Sequence, residues 1–179
     1  MALDAAGVTL SELLVACALC GMVFAGTYVL LDQGLRAYAT AAARVETQQV
    51  TRAALDRLSR EIRQAGRGPY VNIDAIGTAE SSRLVLVSDV NADRRGESVT
   101  WHLAGSILRR AGGGGAQPVA NGIRAFELRY RDAAGRPTTD REAIRSVEIT
   151  LRATPVAAES VLAPGTDALQ TARVRLRNR

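Results

Sequence analysis

The residues that look able to do chemistry fall in a few short stretches. Asp89-Val-Asn-Ala-Asp93, followed by Glu97, places oxygen ligands at alternate positions. Asp89, Asn91, Asp93 and Glu97 are therefore candidate ligands for a hard cation such as calcium. The full EF-hand pattern fails, because Arg94 and Arg95 stand where the tight-turn glycine belongs, and both repel a cation. A polar hairpin turn is the plain alternative. Cys17-x-x-Cys20 has a redox or metal spacing but no second pair, and the lone histidine, His102, is far away in sequence. Both cysteines read as small apolar helix residues. Gly112–Gly115 is followed by no Lys-Ser/Thr and is not a phosphate loop. No Ser/His/Asp or Cys/His set is suggested, so the expectation is a protein that is not an enzyme. Arg173, Arg175, Arg177 and Arg179 alternate and share one face of a final strand. Such a stripe suits DNA or an acidic surface. It suits edge-strand protection or subunit contacts equally.

One carboxylate stands out by its surroundings. Glu12 directly precedes Leu13–Leu31 (LLVACALCGMVFAGTYVLL), which carries no charge. With Val8–Ser11 added, the run is long enough to cross a hydrocarbon core of about 30 Å as a helix. A carboxylate at mid-membrane costs about 2.5–3.5 kcal/mol, and less near the end of a span. A secretory signal would show a basic start, a shorter apolar core and a small-residue cleavage site after it. This segment has none of these and continues into a helical pattern.

The stretch Gly7-Val8-Thr9-Leu10-Ser11-Glu12-Leu13-Leu14 resembles the type IV prepilin processing motif. The resemblance implies cleavage by a membrane-embedded prepilin peptidase between Gly7 and Val8, then N-methylation at Val8. Thr9 and Leu10 belong to the same motif, and Glu12 becomes the fifth mature residue. Its implied role is to pair with the N-terminal amine of a neighbouring subunit. The physics agrees, since a carboxylate in an apolar bundle needs a cationic partner and cleavage creates one. The leader, residues 1–7, carries only Asp4 where such leaders usually carry Lys or Arg, so the positive-inside rule does not orient the helix. Val8 stands where Phe is usual. Gln48–Gly66, the Asp89 run and Val174-Arg-Leu-Arg-Asn178 further resemble PilW-type minor pilins, with J-type pseudopilins of type II secretion as relatives.

These residues need elements to position them. Tyr38, Ala42, Val45, Leu55, Leu58, Ile62 and Ala65 follow a helical stripe, with arginines mostly elsewhere and Asp56 spaced to pair with Arg60. No proline occurs before Pro69, and Gly66, Gly68 and Pro69 form a stop signal. One helix is predicted from Val8 to Ala65, about 85 Å long. Its transmembrane half covers 8–31 and its amphipathic half lies within 32–68. Beyond it, residues 69–179 turn to period two. Strands are predicted over 83–88, 99–103, 106–110, 126–130, 147–151 and 174–176. Gly112–Gly115 and Thr154–Gly165 read as loops, Asp132–Gly135 as a turn, and Trp101 as a core anchor.

The expected fold is therefore α+β, a long N-terminal helix packed on an antiparallel sheet, as in pilins. The net charge of +5 comes from a chain whose 23 basic residues are all arginine. Aromatic residues make up 4%, too few for a platform that stacks single-stranded nucleic acid. The resemblance implies a minor pilin or pseudopilin that initiates or caps a filament. Its partners would be other pilins through their N-terminal helices, and inner-membrane lipid. Its globular domain would face the periplasm. The machine could be a type IV pilus, type II secretion or DNA uptake. A membrane-anchored module that captures DNA is the alternative.

Overall fold

The computed structural model describes residues 7–68, 74–89, 93, 95–155 and 167–178. A single helix, α1, covers Leu10–Gln64. The chain divides into two compact units, Met1–Ala42 and Ala43–Arg179.

In the first unit α1 is apolar on all sides from Leu13 to Leu31, and its large side chains are exposed: Leu14, Met22, Phe24 and Leu30 are 63–74% accessible. A helix this long and apolar is able to cross a membrane. In mid-span, Thr27 Oγ1 donates to the Val23 carbonyl at 2.8 Å. That bond spares the apolar surroundings an unsatisfied donor.

In the second unit α1 changes character. Leu55, Leu58, Ile62 and Ala65 are buried, as the stripe predicts, with Thr51, Ala54 and Ser59 beside them. Tyr38, Ala42 and Val45, assigned to the same stripe, are instead exposed. Thr47 and Thr51 bond back to the Ala43 and Thr47 carbonyls, and Thr51, not Val45, begins the buried row.

Among the described residues, eight strands follow the helix. They are β1 (Ile76–Ala79), β2 (Arg83–Ser88), β3 (Glu97–Ala104), β4 (Ile107–Gly112), β5 (Gly115–Ala120), β6 (Ile123–Arg131), β7 (Ser146–Ala153) and β8 (Ala168–Arg175). They form two antiparallel sheets where one was predicted, β1-β2-β3-β4-β5 and β6-β7-β8. Backbone bonds join the sheets, from Leu128 N–H to Ser81 O at 2.8 Å and from Ile123 N–H to Ser106 O at 2.9 Å. The helix packs on antiparallel sheets, so the α+β expectation holds.

Register pairs large apolar residues across strands. Leu84 faces Trp101, Phe126 faces Leu151, Leu128 faces Ile149 and Val147 faces Val174. These residues belong to the same buried core as Leu58 and Ile62 of α1, and such pairs are the unit of sheet stability. Leu58, Ile62, Trp101, Ile149 and Leu151 are fully buried at the centre. Truncating such a leucine to alanine typically costs about 2–5 kcal/mol.

One glycine-bearing stretch corrects the reading above. Gly112 and Gly115 are partners at the end of the β4–β5 hairpin, not parts of a free loop. Gly115 takes φ of +94°, which lets the chain reverse there. The Asp132–Gly135 turn forms as predicted, with Gly135 N–H on Asp132 O at 3.1 Å. Of the predicted loop after Thr154, residues 156–166 lie outside the described residues.

Candidate assembly site at the start of the helix

Gly7, Val8 and Thr9 precede α1 and are exposed and non-helical. The Gly7–Val8 bond is therefore not shielded by helical hydrogen bonds or by packing. The remainder of the proposed leader, including Asp4, lies outside the described residues.

The helix begins through a reciprocal exchange between Thr9 and Glu12. Thr9 N–H donates to Glu12 Oε2 at 2.9 Å, and the Thr9 hydroxyl donates to the same oxygen at 2.8 Å. Glu12 N–H in turn approaches Thr9 Oγ1 at 3.3 Å. Thr9 is the N-cap and Glu12 the third helical residue, so the two form a capping box. The signal for it, Thr-x-x-Glu ahead of an apolar run, was present in the sequence and is a second reason for Glu12 to stand where it does. Both bonds from Thr9 end on Oε2. Among the described residues Oε1 makes none.

Leu10 (78% exposed) and Val8 (76%) extend the apolar surface of the helix to its first residues. Cys17 and Cys20 are both reduced and exposed on this helix, with no metal-ligating neighbour among the described residues.

The acidic cluster forms in part. Carboxylate oxygens of Asp89, Asp93 and Glu97 lie within 4.8 Å of one another, and Asp89 is buried. Asn91 and Arg94 lie outside the described residues. Asp93 Oδ1 already accepts Arg95 N–H at 2.7 Å. Three carboxylates give an all-oxygen donor set of the type calcium takes, but calcium coordinates about six to eight oxygens.

The terminal arginines separate. Arg173 and Arg175 point outward from β8, an edge strand of its sheet, where charge discourages further pairing. Arg173 lies 3.8 Å from Glu148, whose carboxylate is also held by Arg131 at 3.0 Å. The Arg131 hydrogen bond keeps the Glu148 carboxyl below its ordinary range. Arg177 follows β8, and Arg179 lies outside the described residues. His102 is half-buried on β3, and its Nδ1 has no hydrogen-bond partner. No nucleophile or carboxylate bonds to it among the described residues, so no catalytic set forms around it.

No protein-family model matches the chain, and no significant match is found among curated proteins.

Proposed function

We propose that this chain is a minor pilin or pseudopilin, processed after Gly7 and built into a filament through its N-terminal helix. The observation that carries the reading is the arrangement at Thr9 and Glu12. The capping box lies wholly downstream of the Gly7–Val8 bond, so cutting that bond removes none of its atoms. Oε2 holds the helix start, and Oε1 remains to accept a cation. A methylated amine on a neighbour's Val8 is such a cation. Pairing in an apolar bundle offsets the burial of both charges.

The exposed apolar surface from Leu13 to Leu31 supports the same reading. It serves first as a single-pass inner-membrane anchor, with the β-rich unit on the periplasmic side, and then as the face on which helices bundle. Placement in an initiation or tip complex, and the choice among pilus and secretion machines, follow from the sequence resemblance alone. No enzymatic role enters this proposal.

Mass spectrometry of the chain recovered from membranes tests it. The mature N-terminus is expected at Val8, with one added methyl group. Recovery of the intact N-terminus alongside an active prepilin peptidase would remove the reading.

A further inference from the structure

Arg60, Arg63 and Gln64 lie on the exposed side of the last turns of α1, and Arg67 follows just past its end. Arg63 and Gln64, three and four residues after Arg60, lie on the same side of the helix as Arg60. Arg177 and Asn178 approach the same place from the far end of the chain. Together these six residues line a concavity of about 430 Å³.

Four arginines thus line one space, and among the described residues no carboxylate lines it. Several other arginines of the chain do take acidic partners. Arg57 and Arg110 share Glu61, Arg131 and Arg173 share Glu148, and Arg136 takes Asp132. Arg60, Arg63, Arg67 and Arg177 form no ion pair among the described residues. The Asp56–Arg60 pair that the spacing predicts is likewise absent there. A helix C-terminus attracts cations, but with only about half an elementary charge. Four positive groups exceed that several-fold, and a bound anion would relieve their mutual repulsion.

The convergence is fixed by backbone contacts. Asn178 Nδ2 donates to the Ala65 carbonyl at 3.1 Å and to the Arg63 carbonyl at 3.5 Å, docking the C-terminal segment on the helix end. Leu176 N–H is anchored on Arg145 O at 3.0 Å. Arg177 stands between these two anchors.

We propose that this concavity binds a phosphomonoester or pyrophosphate group. Such a group concentrates up to two charges and three acceptor oxygens on one centre, and the planar guanidinium fork matches it two bonds at a time. A nucleic-acid duplex spreads its charge along a line. Such a ligand would draw on the outer face of β8 as well, where Arg173 is already engaged by Glu148.

The test uses the full chain in neutral detergent, titrated with inorganic pyrophosphate by calorimetry. Saturable binding that weakens with added salt is expected. Arg63→Ala and Arg177→Ala are each expected to weaken it at least about tenfold, the usual scale for one charge-assisted hydrogen bond. Arg175→Ala, on β8 outside the concavity, is expected to change it by less than about twofold. Emission from the single tryptophan, Trp101, verifies that each variant keeps its core. Flotation with vesicles containing phosphatidic acid separates the sources. Capture that pyrophosphate competes away identifies a lipid headgroup in the same concavity, and pyrophosphate binding without capture identifies a soluble ligand. The proposal is overturned by the absence of saturable binding. It is also overturned if Arg175→Ala loses as much as Arg177→Ala, or if duplex DNA binds independently of Arg63 and Arg177 while pyrophosphate does not bind.

Discussion

Trp101 on β3 donates its indole N–H to Glu61 Oε2 on α1 at 2.7 Å. Arg110 on β4 donates Nε–H to the other oxygen, Oε1, also at 2.7 Å, and Arg57 approaches Oε1 at 3.6 Å. One carboxylate therefore joins the helix to two strands. It also satisfies the only polar atom of a fully buried indole. Removing it leaves that N–H without an acceptor and Arg110 without its counter-charge.

Glu61→Ala is therefore expected to cost about 2–4 kcal/mol, the scale of a lost charged hydrogen bond plus a buried orphan donor. Glu61→Gln keeps one carbonyl oxygen for the indole and should lose about half as much. Denaturant unfolding followed by Trp101 emission measures both. Equal stability in all three proteins would mean that water replaces the carboxylate at the indole.

A second expectation separates the two uses of Glu12. Glu12→Gln preserves an acceptor for Thr9, because glutamine also closes a capping box. The helix start should stay protected from amide exchange while incorporation into filaments falls. Thr9→Ala should do the reverse. It removes an N-cap worth about 1 kcal/mol and frays the first turn, yet leaves the charge in place. Thr9→Ser should restore protection. If Glu12→Gln assembles normally, the charge is not what assembly uses.

Much of this was legible because it is local. The uncharged run, the stop at Gly66 and the period-two strands around Trp101, Leu128 and Ile149 each show within a few residues. β1 was not legible, since Ile76–Ala79 contains glycine and no alternation, and it pairs only because Leu84–Leu86 lies beside it. β5 was hidden likewise. Gly115–Ala120 is mostly small residues without alternation and contains Pro118, which an edge strand tolerates. The site divides the same way. The capping box is a four-residue pattern, whereas Arg177 meets Arg60, Arg63 and Arg67 only through the docking of Asn178 on the helix end.

Acid should weaken the second sheet through Glu148. Its carboxylate accepts from Arg131 Nε at 3.2 Å and Nη2 at 3.0 Å, which lowers its pKa from the ordinary 4.5. Asp132 is lowered too, first by the backbone N–H of Arg136 at 2.8 Å. A group whose folded pKa is depressed binds fewer protons when folded. Its contribution is fully present above the unfolded value and is lost as pH falls through the folded one. Unfolding midpoints are expected to drop below the ordinary glutamate value of 4.5. Glu148→Gln should flatten part of that drop. An unchanged acid limb would assign it to other carboxylates.

The helix end offers the sharpest comparison. Gly66 takes φ of +72°, and a Cβ there would sit 2.8 Å from Asn178 O and 3.0 Å from Ala75 Cβ. Gly105 takes a similar φ of +62° with nothing within 4 Å of such a Cβ. Gly105→Ala should therefore lose only the conformational cost of a left-handed residue, about 1–2 kcal/mol. Gly66→Ala carries the same cost and must also displace backbone, so it should lose more. Asn178 is the group that has to move, and with it the bond to the Ala65 carbonyl. Gly66→Ala should accordingly raise amide exchange at the helix end and at Leu176, while Gly105→Ala leaves both unchanged. Equal losses in the two variants would mean that the C-terminal segment gives way without cost, and that Asn178 does not hold it on the helix.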